Sequence, residues 1–295
     1  MHRRFALAVV VAVGLSSAAC AQESELGTGT AVETTADARD ARTMLRAAPD
    51  LAQQAGTSRF EMVMHVEAPG EGAFSLTMEG GIDTDRQLAH MVIDMGDLAE
   101  AAGEEAADFF GDGSMEMIFT ADSVYLRGGF FGDRWLAGSS EDLGEEDLAD
   151  VFGTSSGPPV EGYLELLRGV GADPVEVGRE EVRGVATTRY SASFTFGEAL
   201  AAASPEERAQ LEEQLDLDEF PLDAEIPVEV WIDDDGLPRR MTLALDEAME
   251  GLTEEGITAS FTFELFDYGE PLDIVVPDDD DVAPLGEAFG GFFGG

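Results

Sequence analysis

Phe60-Glu61-Met62-Val63-Met64-His65-Val66 sets large apolar side chains at every second position, and the reading of this stretch decides the fold. Successive side chains of a β-strand point to opposite faces, so Phe60, Met62, Met64 and Val66 share one side. After a turn at Pro69-Gly70 the period of two resumes, with Phe74, Leu76 and Met78 against Ser75, Thr77 and Glu79. That predicts a hairpin. The same alternation runs on through Ala89, Met91, Ile93 and Met95, through Met115, Met117 and Phe119, and through Val124 and Leu126. Further on it returns in Ala186, Thr188, Tyr190, Ala192 and Phe194, in Val228, Val230 and Ile232, and in Met241, Leu243 and Leu245. Ile257, Ala259, Phe261, Phe263 and Leu265 complete it. Strands buried on both faces of a parallel sheet read as continuous apolar runs, so alternation on so many neighbours predicts a large antiparallel sheet with one dry face.

Helices must cover that face, and four segments have the pattern for it. Thr35 to Gln54 places Ala41, Met44, Leu45, Ala48 and Leu51 on one side of an amphipathic helix. Asp97 is placed to cap a helix carrying Leu98, Ala101, Ala102, Phe109 and Phe110, and Pro158 to Val170 aligns Tyr163, Leu164, Leu167 and Val170. Ser204-Pro205-Glu206-Glu207 has a capping serine, a proline at the first helical position and a glutamate to close a capping box. The fold class expected is α+β.

The N-terminus reads as an export signal over residues 1–19: His2, Arg3 and Arg4, then the apolar run Phe5 to Leu15, then small residues up to Ala19. Cys20 follows, and a lone thiol has no intramolecular disulfide to make. Its place after Ser17-Ala18-Ala19 resembles a lipobox, which makes Cys20 the candidate lipidation site and first mature residue. Ala19-Cys20-Ala21 also fits an ordinary signal-peptidase site, which would leave a free secreted chain starting at Gln22. Residues 20–35 lack an apolar period and suit a flexible tether. The body spans 36–277, and an acidic and Gly/Phe-rich tail covers 278–295.

The formal net charge is −46, and all sixteen basic residues are arginines. Nucleic acid and anionic headgroups are repelled by such a field in the absence of a basic patch, and none is visible. Catalytic chemistry is poorly supplied. The mature part has His65 and His90, both on the polar phase of their strands, with no Gly-x-Ser-x-Gly elbow and no zinc-binding His-Glu-x-x-His. Carboxylates are so abundant that a hydrolase built on a pair of them leaves no distinguishing mark. Asp233-Asp234-Asp235-Gly236 and Asp278 to Asp281 invite calcium, but neither has the spaced ligands and distal glutamate of an EF-hand. A hairpin turn and a solvated end-segment are expected there, with no metal and no cofactor.

The order of elements resembles a known group. The features that carry the likeness are the lipidated signal, Ser123-Val124-Tyr125-Leu126-Arg127, Trp135-Leu136, and Val175-Glu176-Val177-Gly178 leading to Gly184-Val185-Ala186-Thr187-Thr188-Arg189-Tyr190. Pro227-Val228-Glu229-Val230-Trp231-Ile232-Asp233 and Gly236-Leu237-Pro238-Arg239-Arg240 close it. Over roughly Thr57 to Val276 the chain resembles the LppX/LprG family of actinobacterial envelope lipoproteins, LolA/LolB-like half-barrel carriers. The resemblance implies a curved antiparallel sheet, a half-open barrel, with helices over its concave face and an apolar cavity for acylated lipid or glycolipid. It brings no catalytic motif.

Methionine is unbranched and adaptable, so a face rich in it suits a ligand of variable shape. The cavity lining expected is Phe60, Met62, Met64, Phe74, Met78, Met91, Met95, Met115, Met117, Phe119, Met241, Ala259, Phe261 and Phe263. The plain alternative is an ordinary filled core. The function expected is a membrane-anchored envelope lipoprotein, attached to the outer face of the cell membrane through its lipidated N-terminus, that binds acylated lipid and holds or ferries it across the envelope. The alternative is an envelope interaction or sensor lipoprotein without lipid cargo.

Overall fold

A computed structural model of the chain describes residues 36–68, 72–102, 113–139, 164, 167, 174–195, 197–198, 222–246 and 257–285. The signal, Cys20, the tether, the Pro69-Gly70 turn, Phe109, Phe110, the Ser204 helix start and the last ten residues lie outside them. The elements in chain order are α1 (Ala36–Gln54), β1 (Thr57–Ala68), β2 (Gly72–Asp83), β3 (Leu88–Asp94), α2 (Gly96–Ala102), β4 (Ser114–Phe119), β5 (Ser123–Gly128) and β6 (Trp135–Ser139). They continue with β7 (Val175–Val182), β8 (Val185–Thr195), β9 (Glu225–Asp233), β10 (Pro238–Ala244), β11 (Thr258–Phe266) and β12 (Val282–Pro284).

All twelve strands belong to one sheet in the order β12-β6-β5-β4-β3-β2-β1-β11-β10-β9-β8-β7. Neighbours pair antiparallel throughout, apart from β12, which runs parallel to β6. The sheet is curved and does not close, leaving β12 and β7 at its edges. Two irregularities add local twist: β7 slips register between Glu176 and Gly178, where Gly178 has φ 154°, and β10 slips between Pro238 and Arg240. Strands β6, β7 and β12 go beyond the alternation read from the sequence. β7 is exposed along most of its length because it is an edge, so no apolar phase marks it. β12 has three residues, too few to show a period.

The expected helix at the N-terminus forms, and it buries Ala41, Leu45, Ala48 and Ala52, spaced four, three and four residues apart. Met44, expected on that side, is 37% exposed; it lies at the margin, where its sulfur accepts the Tyr190 hydroxyl at 3.6 Å. Asp97 is not the cap of α2. It lies in the first turn, and the Asp94 carboxylate before the helix accepts the Gly96 N–H at 2.9 Å. Leu164 and Leu167 are helical and buried, and the rest of the expected helix around them lies outside the described residues.

One cluster joins these pieces. The α1 set, Leu164, Leu167 and the apolar phase of the sheet from β6 to β8 pack together, with Phe60, Met62, Met117, Val230 and Ile232 fully buried. Packing is tightest at Gly80 on β2, which lies across from Phe60 on β1 and Met91 on β3. A Cβ there would come 1.9 Å from the His90 carbonyl oxygen and 2.9 Å from Phe60 Cζ. Only glycine lets the Phe60 ring lie on the strand at this point. Gly80→Ala is therefore expected to separate β2 from β3 or expel the ring, at a cost of about 3 kcal/mol or more, read as a lowered urea midpoint.

Candidate functional site

The side chains expected to line a cavity fall on one face of the sheet, in direct cross-strand register apart from Met95, which follows β3. One row runs Gly128, Met115, Ile93, Met78, Met62, Phe263, Met241, Val230, Tyr190, each opposite the next from β5 to β8. Nine strands at about 4.8 Å spacing make this row about 38 Å long. A second row runs Leu126, Met117, Met91, Gly80, Phe60, Leu265, and a third runs Leu76, Met64, Phe261, Leu243, Val228, Ala192. Phe119 pairs with Ala89, which pairs with Ile82, at the end near β5.

Twelve of the fourteen expected positions belong to, or pack against, the main cluster. The exceptions are Ala259 and Phe74. Ala259 is buried with Val66 in a smaller cluster, and Phe74 is packed against it, with Met64 and Leu245 shared between the two clusters. Met64, Met78 and Met95 are half-buried, so the face is not sealed throughout. No buried ionised side chain lies on this face among the described residues: Asp83, Asp233 and Glu264 fall on the opposite phase. A small pocket of about 10 Å³, open to solvent, lies between Leu164, Leu167, Met241, Phe263, Leu265 and the chain at Pro238–Arg240. Ligand sites run to about 300–1,000 Å³, and this pocket has room for about one water, so it does not by itself hold an acyl chain.

The opposite face is not simply wet, and here the sequence reading missed a set of residues. The tip of the β7–β8 hairpin carries Arg183 at φ 48°, and its Nε donates to Glu264 Oε2 at 2.5 Å while its Nη2 lies 3.0 Å from Glu61 Oε1. Arg240 donates through Nε to the other Glu264 oxygen at 2.6 Å. The Arg183 guanidinium stacks 4.0 Å from the Phe266 ring. Beside it the Trp231 indole N–H donates to Glu180, and Arg189 and Arg240 lie 5.2 and 5.4 Å from the Trp231 ring, with Arg189 also paired to Glu229. One signal was available. Trp231 sits on the polar phase between Val230 and Ile232, and a large ring there needs a cover.

His90, Glu116 and Arg127 stand side by side on β3, β4 and β5. Glu116 Oε1 lies 2.8 Å from His90 Nε2, Oε2 accepts Arg127 Nε at 2.7 Å, and Arg127 stacks 4.5 Å from the Trp135 ring. His65, the other histidine of the body, is exposed and 3.1 Å from the Ser75 hydroxyl. Asp233 builds the β9–β10 turn: Oδ1 accepts the Asp235 and Leu237 N–H groups at 3.0 and 2.9 Å, and Oδ2 accepts Arg239 at 2.7 Å. Both oxygens of the residue that invited a calcium reading are thereby engaged within the turn.

No family model matches the chain. An uncharacterised 31.2 kDa protein encoded between rplA and rplJ in Streptomyces griseus is 28% identical over 205 residues, 62% of this chain. The matched part spans 59% of that relative's length. Among solved structures the chain is similar to the lipoprotein LppX of Mycobacterium tuberculosis, with 13% identity and a TM-score of 0.46 over 80% of this chain and 99% of that one. It is also similar to LprF of Mycobacterium bovis, with 13% identity and a TM-score of 0.41 over 81% of this chain and 97% of that one. These solved structures come from the group that the sequence resembles.

Burial alone would raise the Glu116 carboxyl, but hydrogen bonds from His90 and Arg127, together with their charges, outweigh it and hold it below the usual carboxylate range. A carboxylate depressed in the folded state stabilises above its unfolded pKa and loses that contribution as pH falls through the folded one. Glu116→Gln is therefore expected to lower the urea midpoint at pH 7, and the gap from wild type should shrink as pH is taken below about 4.5. Urea titrations at neutral and acidic pH check this.

Proposed function

We propose that this chain is an envelope lipoprotein that binds acylated lipid along the inward Met and Phe face of its sheet and holds or ferries it across the cell envelope. The observation that carries the reading is the Met- and Phe-rich face whose central row runs in register across nine strands of an unclosed sheet, the face being half-buried at Met64, Met78 and Met95. A dry, adaptable strip about 38 Å long accommodates a chain-like apolar ligand better than a compact one. Helices over the concave side, of which α1, Leu164 and Leu167 are the described part, would complete the enclosure. No residue acts chemically in this reading, and specificity resides in shape. Attachment through a diacylated Cys20 would place the domain at the outer face of the cell membrane; among the described residues no helix is long and apolar enough to cross a membrane.

A second reading is favoured by the packing. Phe60, Met62 and Met117 have no exposed surface, and Phe263 has 2%. A face filled this well also suits an interaction or sensor module that carries no lipid.

Mass spectrometry of organic extracts from the purified domain separates the two. The lipid reading expects co-purifying acylated lipid; a clean extract, with no uptake of a fluorescent acyl probe, supports the filled core. Met78→Trp places a ring on the half-buried part of the face, and it is expected to lower probe uptake severalfold at a cost in stability of at most about 1–3 kcal/mol, the range for added volume. For the anchor, Cys20→Ala is expected to move the protein from the membrane fraction to the medium or leave an unprocessed precursor, since acyl chains supply about 0.8 kcal/mol per buried methylene. A wild-type mature N-terminus at Gln22 would end the lipoprotein reading.

A further inference from the structure

We propose that β12 is a clasp on the β6 edge of the sheet, and that its release opens the inward apolar face from that side. The segment between β11 and β12 divides into a fixed half and a loose half. In the fixed half, the Tyr268 hydroxyl donates to the Pro238 carbonyl at 2.6 Å and the Gly269 N–H donates to the Thr57 carbonyl at 2.9 Å. The Thr57 hydroxyl returns a hydrogen bond to the Glu270 carbonyl at 2.8 Å. Leu272 lies on the β2 backbone at Gly81, where a Cβ would come 2.9 Å from its Cδ1, and Ile274 is buried.

Beyond Ile274 the anchoring stops. Val275 is 70% exposed, and none of the described side chains from Val275 to Pro284 is buried. Asp278 to Asp281 set four acidic residues in a row at the entry to β12. Like charges crowded there oppose a closed, ordered strand end.

The closed position is held by little. β12 pairs with β6 over Val282, Ala283 and Pro284, the last of which has no N–H to give. Arg134 Nη2 donates to the Val282 carbonyl at 3.4 Å. Among the described residues the main hold is Leu285, which has no exposed surface and belongs to the same cluster as the Met and Phe rows. Ala283 packs against that cluster and stands opposite Leu136, which is part of it. Lifting β12 therefore uncovers Leu136 and empties the place of Leu285 at one step. A short edge element, joined through an exposed acidic link and pinned in the apolar face, among the described residues, by Leu285 with Ala283 beside it, is placed to open while the rest of the sheet stays folded.

The admission of a ligand rests on the lipid-binding reading above; the opening of the edge does not. Hydrogen exchange of the full chain, wild type and Leu285→Ala, tests it alongside the rate of uptake of a fluorescent long-chain fatty acid. In the wild type the β6 amides facing β12 are expected to exchange faster than those of β1. Leu285→Ala is expected to speed β6 exchange about tenfold more and to leave β1, β2 and β11 unchanged. Probe uptake should become faster in step. Leu285→Val gives the same comparison with a smaller change if the alanine variant fails to fold. The proposal is overturned if β6 exchanges together with β1 in both proteins, so that β12 leaves only on global unfolding. It is overturned equally if β6 opens but the probe enters both proteins at one rate. If β6 opens and the wild type takes up no probe, the clasp stands and the lipid-binding reading falls.

Discussion

The structure depends on the register of β1 with its two neighbours. β1 pairs with β2 from Thr57 to Ala68 and with β11 from Arg59 to Glu67, and neither pairing contains a slip. Because side chains alternate with a period of two, moving either partner by one residue would turn its entire apolar set to the opposite face. Phe60, Met62, Met64 and Val66 meet Leu265, Phe263, Phe261 and Ala259 on one side and Gly80, Met78, Leu76 and Phe74 on the other. Such matched pairs fix the register by packing. The slips that occur lie away from β1, in β7 and β10, toward the edge formed by β7.

The two faces of the sheet solve opposite problems. From β6 to β8 the inward face is soft and holds no buried ionised side chain among the described residues, and its methionines adapt to whatever lies against them. The outward face must hold ionised groups partly out of water. It does so with arginine, whose planar guanidinium is weakly hydrated and forks onto a carboxylate while its flat side lies on a ring. Glu264, 8% exposed, would be a costly buried charge if it stood alone; Arg183 and Arg240 each take one of its oxygens. Arg127, Arg183, Arg189, Arg239 and Arg240 all stack on aromatic rings, so few cations serve a very acidic chain at specific points.

An unclosed sheet also has to protect its edges from pairing with other chains. β7 does this with a bulge at Gly178 and with Arg179, Glu180 and Glu181 along its length. The other edge is a three-residue strand ending in proline. These are different devices: charges and a bulge along β7, and at the other edge a short strand that Leu285 and Ala283 fasten to the apolar cluster.

The sequence by itself determined the long strands, their antiparallel pairing and the membership of the inward face, because alternation with a period of two is a local property that each strand carries alone. It determined the α1 surface for the same reason, except at Met44, where the helix meets the margin of the core, and at Leu51, which is half-buried while Ala52 beside it takes the buried place. What only the tertiary structure decided involves residues that are distant along the chain. Arg183 meets Glu61 and Glu264 because a hairpin tip is carried across the sheet, and nothing near residue 183 announces those partners. β7 and β12 are strands because an edge lends them hydrogen bonds, with too little buried surface to imprint a period. Leu285 lies in a stretch that reads as a tail, and it is buried because the chain returns to β6 after leaving β11.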